Sequence, residues 1–194
     1  MITSRRELKE ILKYEKKLYI KKSLLGKIGQ YISGSYEPKI YKYIVYMRKA
    51  EYYYNTNKKI VSKFGYCYYK RKKMNLGLKL GIHIGNNAFD KGLRIYHPFD
   101  IIVNGKARIG KNCEIRGNLC IGNDGFNEAN CPIIGDNVSI GYGVTIIGKI
   151  EISNNTIIGA NSLVNKSFKK ENITIVGNPC KEIKKKKVGE GENE

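Results

Sequence analysis

A six-residue period runs through the second half of the chain. Val103, Ile109, Ile115 and Ile121 keep one register, and Ile134, Ile140, Ile146, Ile152, Ile158 and Val164 keep another. Small or medium side chains stand four residues after these positions: Ala107, Cys113 and Leu119, then Val138, Val144, Ile150, Thr156 and Ser162. Gly110, Gly122, Gly135, Gly141 and Gly159 each follow a repeat aliphatic directly. Six residues are too few for a helical repeat. They suit a short strand and a turn, and three such units make one coil of a prism. The aliphatic points inward and stacks on its counterpart one coil away, while Gly and Asn supply turns that need a positive φ. A fixed period decides the architecture ahead of local propensity. It predicts a parallel β-helix held by nearest-neighbour stacking.

The two registers are out of phase. Ile121 to Ile134 is 13 residues, one more than two repeats. The segment Gly122 to Pro132 is therefore expected to loop out at a corner, where a solenoid tolerates insertion and where function often sits. The period stops after Val164. Ile173 to Val176 reads as one more strand and Gly177 to Lys181 as a turn.

The first 75 residues have another character. They hold 20 of the 36 Lys and Arg residues, 5 of the 17 Asp and Glu residues and 13 of the 15 tyrosines. Ser4 and Glu7 form a capping box ahead of Leu8, Ile11, Leu12 and Leu18 at near-helical spacing. Gly26, Gly29, Ser33, Gly34 and Ser35 read as a break. Pro38 suits the first turn of a second helix with a stripe of Ile40, Tyr43, Ile44 and Met47. A third helix is expected from about Lys58 to Lys73, weakened by Gly65. The chain thus divides into a basic, Tyr-rich helical domain (1–75), a β-helix domain (76–183) and a disordered tail (184–194). No apolar run is long enough to span a bilayer, and the N-terminus lacks an apolar signal region. The expected location is cytoplasmic, at the inner face of the membrane where the basic segment makes a peripheral contact. Five cysteines without a C-x-x-C pair read as free, mostly packing thiols, with no metal site.

The periodic half resembles the hexapeptide-repeat acyltransferases, in particular their serine acetyltransferase-like branch. The resemblance is carried by Gly92 to His97, Ile101 to Gly110, Ile134 to Gly141, Ile158 to Ser162 and Val176 to Lys181. It covers roughly residues 76–183. It implies a left-handed parallel β-helix, acetyl-CoA as acetyl donor, and a homotrimer with active sites between adjacent subunits.

The resemblance makes His97 the general base that takes a proton from an acceptor hydroxyl, a task that suits imidazole near neutral pH. It places the pantetheine arm of acetyl-CoA along Gly141, Tyr142, Gly159 and Ala160, and a CoA phosphate near Lys181. His83 stands closest to the place of an acidic partner for the base, with Asp90 and Asp100 as alternatives. Cys131 reads as packing, since this family transfers acetyl directly.

Two positions depart from serine acetyltransferases. Tyr96 replaces an Asp before the base, and Asn130-Cys131 replaces an Arg-His pair before Pro132. Loss of a carboxylate and a guanidinium removes a charge complement for a zwitterion. With His83, Tyr96, Asn130 and Cys131 on the acceptor side, the expected acceptor is a sugar hydroxyl in a surface polysaccharide or glycan pathway. The enzymatic alternative is serine O-acetylation in cysteine biosynthesis. The non-enzymatic alternative is a basic protein binding an anionic membrane or nucleic acid, the latter disfavoured for want of any recognisable motif.

Overall fold

The computed structural model describes residues 1–56 and 60–183. Four helices come first: α1 (Arg5–Tyr19), α2 (Leu24–Ile32), α3 (Glu37–Asn55) and α4 (Ile60–Leu80). Short strands then wind over three faces. The first face stacks β1 (Ile82–Ile84), β3 (Ile101–Val103), β6 (Leu119–Gly122), β9 (Thr145–Ile147) and β12 (Leu163–Val164). The second stacks β4 (Arg108–Ile109), β7 (Ile133–Ile134) and β10 (Glu151–Ile152). The third stacks β2 (Arg94–Ile95), β5 (Glu114–Ile115), β8 (Ser139–Ile140), β11 (Ile157–Ile158) and β13 (Thr174–Val176). Every pairing between coils is parallel; β14 (Lys181–Ile183) closes the far end antiparallel to β13.

Regular coils take 18 residues, as in the registers Ile101↔Leu119 and Thr145↔Leu163. All ten repeat aliphatics are buried, and so are the eight companions four positions later, Ala107, Cys113, Leu119, Val138, Val144, Ile150, Thr156 and Ser162. Each hexad therefore sends two side chains inward. Asn112, Asn137 and Asn155 sit at successive levels of one corner with φ of 56°, 57° and 56°. Asn tolerates this left-handed backbone. Their amides also donate up the stack, Asn112 to Asn137 at 3.0 Å and Asn137 to Asn155 at 3.1 Å. The coil holding Gly122 to Pro132 is longer, with Cys120 pairing with Thr145, 25 residues on.

The helices close the other end. Tyr19, at the end of α1, accepts the Ile95 N–H at 2.8 Å and donates to the Leu93 carbonyl at 2.9 Å, satisfying the free edge of β2. Tyr43 of α3 accepts the Ile84 N–H on β1 at 3.3 Å. Lys73 of α4 donates to the Ile84 carbonyl at 2.9 Å. Between them Arg48 is wholly buried. Its guanidinium meets Glu15 at 2.7 Å and Glu51 at 3.0 Å, and donates to the Phe89 and Asp90 carbonyls. One charge thus joins α1, α3 and the first coil.

The helical segment differs from expectation in three places. Of the residues read as a break, Gly26 and Gly29 lie inside α2, which Ser23 caps by accepting the Gly26 N–H, and the break is confined to Ser33, Gly34 and Ser35. Gly65 does not interrupt α4, because its missing Cβ is where the Tyr53 ring packs. Helix α4 also runs past residue 75 to Leu80, so the helical segment meets the β-helix at Gly81. The expected tail over 184–194 and the Lys58 start of the third helix lie outside the described residues.

Several tyrosines of the basic segment, those on α3 and α4, pack on one another. Tyr53 stacks on Tyr69 at 5.7 Å, Tyr54 packs on Tyr66, and Lys49, Lys70 and Lys72 lie over tyrosine rings. Aromatics interleaved with cations here build the α3–α4 pair.

Candidate active site

The edge between the third and first faces gathers most of the expected residues. The register Ile95↔Ile115↔Ile140↔Ile158↔Ile175 brings the residues that follow into file. Tyr96, Arg116, Gly141, Gly159 and Val176 form one row, and His97, Gly117, Tyr142 and Ala160 form the next. The contacts agree: a Cβ on Gly117 would stand 3.2 Å from the His97 carbonyl oxygen and 3.4 Å from the Tyr142 ring. One on Gly141 would stand 2.6 Å from the Ala160 nitrogen, so the rungs approach closely where side chains are absent. Lys181 pairs with Val176, one rung beyond Gly159, and is exposed.

His97 is exposed, and its ring makes no hydrogen bond among the described residues. After Pro98 the chain turns sharply through Phe99 and Asp100 with φ of 80° and 54°. Two successive non-glycine residues in the left-handed region mark local strain, of the kind held at functional corners. None of the three candidates to orient His97 (His83, Asp90 and Asp100) makes a hydrogen bond or ion pair with its ring among the described residues. His83 projects from β1 opposite Ile102 and lines a cavity of about 400 Å³ under α4 with Lys73 and Asp100, a cavity that His97 does not line. The Asp90 carboxylate is taken by the Lys91 N–H at 2.7 Å.

Asn130 and Cys131 are not brought to this corner. Their loop leaves between the first and second faces, a different edge of the same prism. Asp124 organises it by accepting the Phe126 and Asn127 N–H groups and the Asn130 side-chain amide at 2.8 Å. The Asn130 amide, first, and these backbone donors hold the Asp124 carboxyl below the usual carboxylate range. Cys131 is buried, with its thiol on the Glu128 carbonyl at 3.6 Å. Burial pushes that thiol up in spite of Lys106 and Arg108 nearby, which disfavours a nucleophile. Phe126 at the tip is 97% exposed.

Tyr96 is half-buried, and two guanidiniums lie over its ring, Arg94 at 5.0 Å and Arg116 at 4.9 Å. Arg94 is engaged with Glu37 at 3.3 Å. Arg116 is exposed and makes no ion pair among the described residues. Sequence reasoning missed both arginines. A signal for one of them exists: Arg116 holds in its hexad the place that Tyr96 holds one coil earlier.

No protein-family model matches the chain. It is 35% identical over 113 residues to a serine acetyltransferase of Staphylococcus aureus, across 57% of this chain and 53% of that protein. It is 30% identical over 137 residues to a serine acetyltransferase of Buchnera aphidicola, across 69% of this chain and 47% of that one. The chain thus spans about half the length of the curated relatives it matches. In structure it resembles a soybean serine acetyltransferase complexed with serine, with a TM-score of 0.71 at 22% identity over 91% of this chain and 69% of that one. The fold is shared with that enzyme: a helical segment followed by a hexapeptide-repeat β-helix.

Proposed function

We propose that the chain is an acetyl-CoA-dependent hexapeptide-repeat O-acetyltransferase, wound left-handed, with His97 as general base. The observation that carries this reading is the file of His97, Gly117, Tyr142 and Ala160 along one edge, flanked by the bare rungs at Gly141 and Gly159. The absence of side chains at Gly141 and Gly159 lets a pantetheine arm approach the backbone along this edge, and Lys181 at its far end suits a CoA phosphate. Acetyl-CoA supplies the activated acyl carbon. His97 takes the acceptor hydroxyl proton as that oxygen bonds to the acetyl carbon. It returns the proton to the sulfur as the carbon–sulfur bond breaks, leaving CoA and the acetyl ester.

For the acceptor, the similarity to proteins named serine acetyltransferases favours serine over the saccharide hydroxyl expected from sequence. The arginines support the same choice. An aromatic face for a sugar at Tyr96 is occupied by two guanidiniums, and Arg116 supplies a cation for a carboxylate beside the base. A sugar hydroxyl is the second reading, kept by the uncharged pair Asn130-Cys131. A homotrimer is part of the proposal, because only a neighbouring subunit could bring the Asn130 loop to a His97 edge.

The test is release of free CoA from acetyl-CoA with serine or with sugar acceptors. Serine is expected to be turned over, and His97→Ala to lower kcat by roughly 10²- to 10⁴-fold. Unchanged turnover in that variant would remove His97 as base. No binding of acetyl-CoA would remove the transferase reading.

A further inference from the structure

Helix α2 is inverted for a surface helix. Leu24, Leu25, Ile28, Tyr31 and Ile32 fall at i, i+1, i+4, i+7 and i+8, a single face. All five are exposed, four of them by more than 70%. The buried residue is polar: Gln30 donates to the Tyr19 carbonyl at 2.8 Å and to Glu37, and accepts the Lys21 N–H at 3.1 Å. The helix is pinned by its polar side and turns its apolar side outward. Beside it Lys13, Lys16, Lys17, Lys21, Lys22 and Lys27 line one shallow recess with Ile20. The single acid between Lys13 and Tyr36, Glu15, is buried against Arg48. Nothing exposed in that stretch answers the six cations.

We propose that this face docks on an anionic lipid bilayer. Helix α2 lies in the plane of the headgroups, its five apolar side chains reach the acyl boundary, and the lysines meet lipid phosphates. Nine residues are too few to cross a bilayer, and no described helix is long and apolar enough to do so, which leaves the in-plane mode. Apolar insertion and lysine attraction are two signals, as stable peripheral attachment requires. The alternatives fit less well. A second copy would set six lysines against six across a two-fold contact. Nucleic acid would leave the aliphatic side chains without a partner. The turn after α2 also touches the candidate site, since Tyr36 packs edge-on against Phe99 at 5.9 Å, two residues from His97. The docking stands whether or not acetyl transfer is the chemistry.

Co-sedimentation of the full chain with vesicles tests this. Binding is expected with mixed phosphatidylcholine and phosphatidylglycerol, and not with phosphatidylcholine alone. Added salt should weaken it, by about fivefold for each lysine whose attraction to the headgroups is screened out. Lys21→Glu/Lys22→Glu and, separately, Leu25→Ser/Ile32→Ser should each bind roughly tenfold or more weakly, with unchanged thermal melts. If the apolar pair unfolds the chain, the lysine pair carries the test alone. Equal binding to both vesicles, no binding to the anionic ones, or a well-folded variant that binds like the parent would overturn the proposal. So would a parent that sediments as a larger assembly which Leu25→Ser/Ile32→Ser dissociates, since the face would then be a contact between copies.

Discussion

Tyr19 shows how much one hydroxyl can settle. It accepts from Ile95 and donates to Leu93, and its burial pushes its pKa far up, so it remains a donor wherever the fold survives. Tyr19→Phe leaves an N–H and a carbonyl buried without partners and should cost about 1–3 kcal/mol in a denaturant titration. The corresponding change at Tyr43, whose contact is longer, should cost less. At the candidate site the division between affinity and chemistry is equally sharp. If Arg116 holds an acceptor carboxylate, Arg116→Ala should raise KM for serine by roughly 10- to 100-fold with kcat little changed. An unchanged KM would return the acceptor to the sugar reading. His97 could be singled out as a candidate base from its flanking residues, whereas Arg116 could not be singled out at all. A lone exposed arginine reads as a solvated charge until the coil register brings it to Tyr96.

At the scale of elements, the β-strands were legible because a period of six leaves few folds that can bury it. Ten aliphatics landed inside as expected, from Val103 to Val164. The helical half was harder for a physical reason: its inward face is partly charged. Helix α1 buries Ile11, Glu15 and Tyr19, while Leu8, Leu12 and Leu18 are only half-buried. Glu15, Arg48 and Glu51 look like ordinary surface charges until the fold closes them on each other. Removing the central one strands two carboxylates in the interior, so Arg48→Ala should cost about 3–5 kcal/mol and detach the helices from the first coil. A melt in which helical signal is lost before strand signal would register that detachment. The loop element answers to pH instead. With its pKa held low, Asp124 contributes order that is complete above the unfolded carboxylate value of about 3.9 and lost as pH falls through the lower folded value. Amide exchange at Phe126 and Asn127 should accelerate only below about pH 4. Asp124→Ala should produce the same acceleration at neutral pH.

For the whole molecule, the decisive relation is that the loop and His97 occupy different edges of the prism. If each loop serves the base of its neighbour, a His97→Ala protomer and a protomer lacking Asn123 to Asn130 should each be inactive alone. Mixed assemblies of the two should recover part of the activity, because some sites then combine an intact loop with an intact base. No recovery in verified mixed trimers would place both functions within one chain. The helical end has a further consequence. A coil stacked on coils has no intrinsic last member, since each rung offers the next the same row of donors and acceptors. Tyr19, Tyr43 and Lys73 interrupt that series at its first rung. A chain stripped of its helices would present a bare strand template, and its natural partner would be another such template. The helical segment is in this sense a terminator, keeping a polymerisable architecture finite.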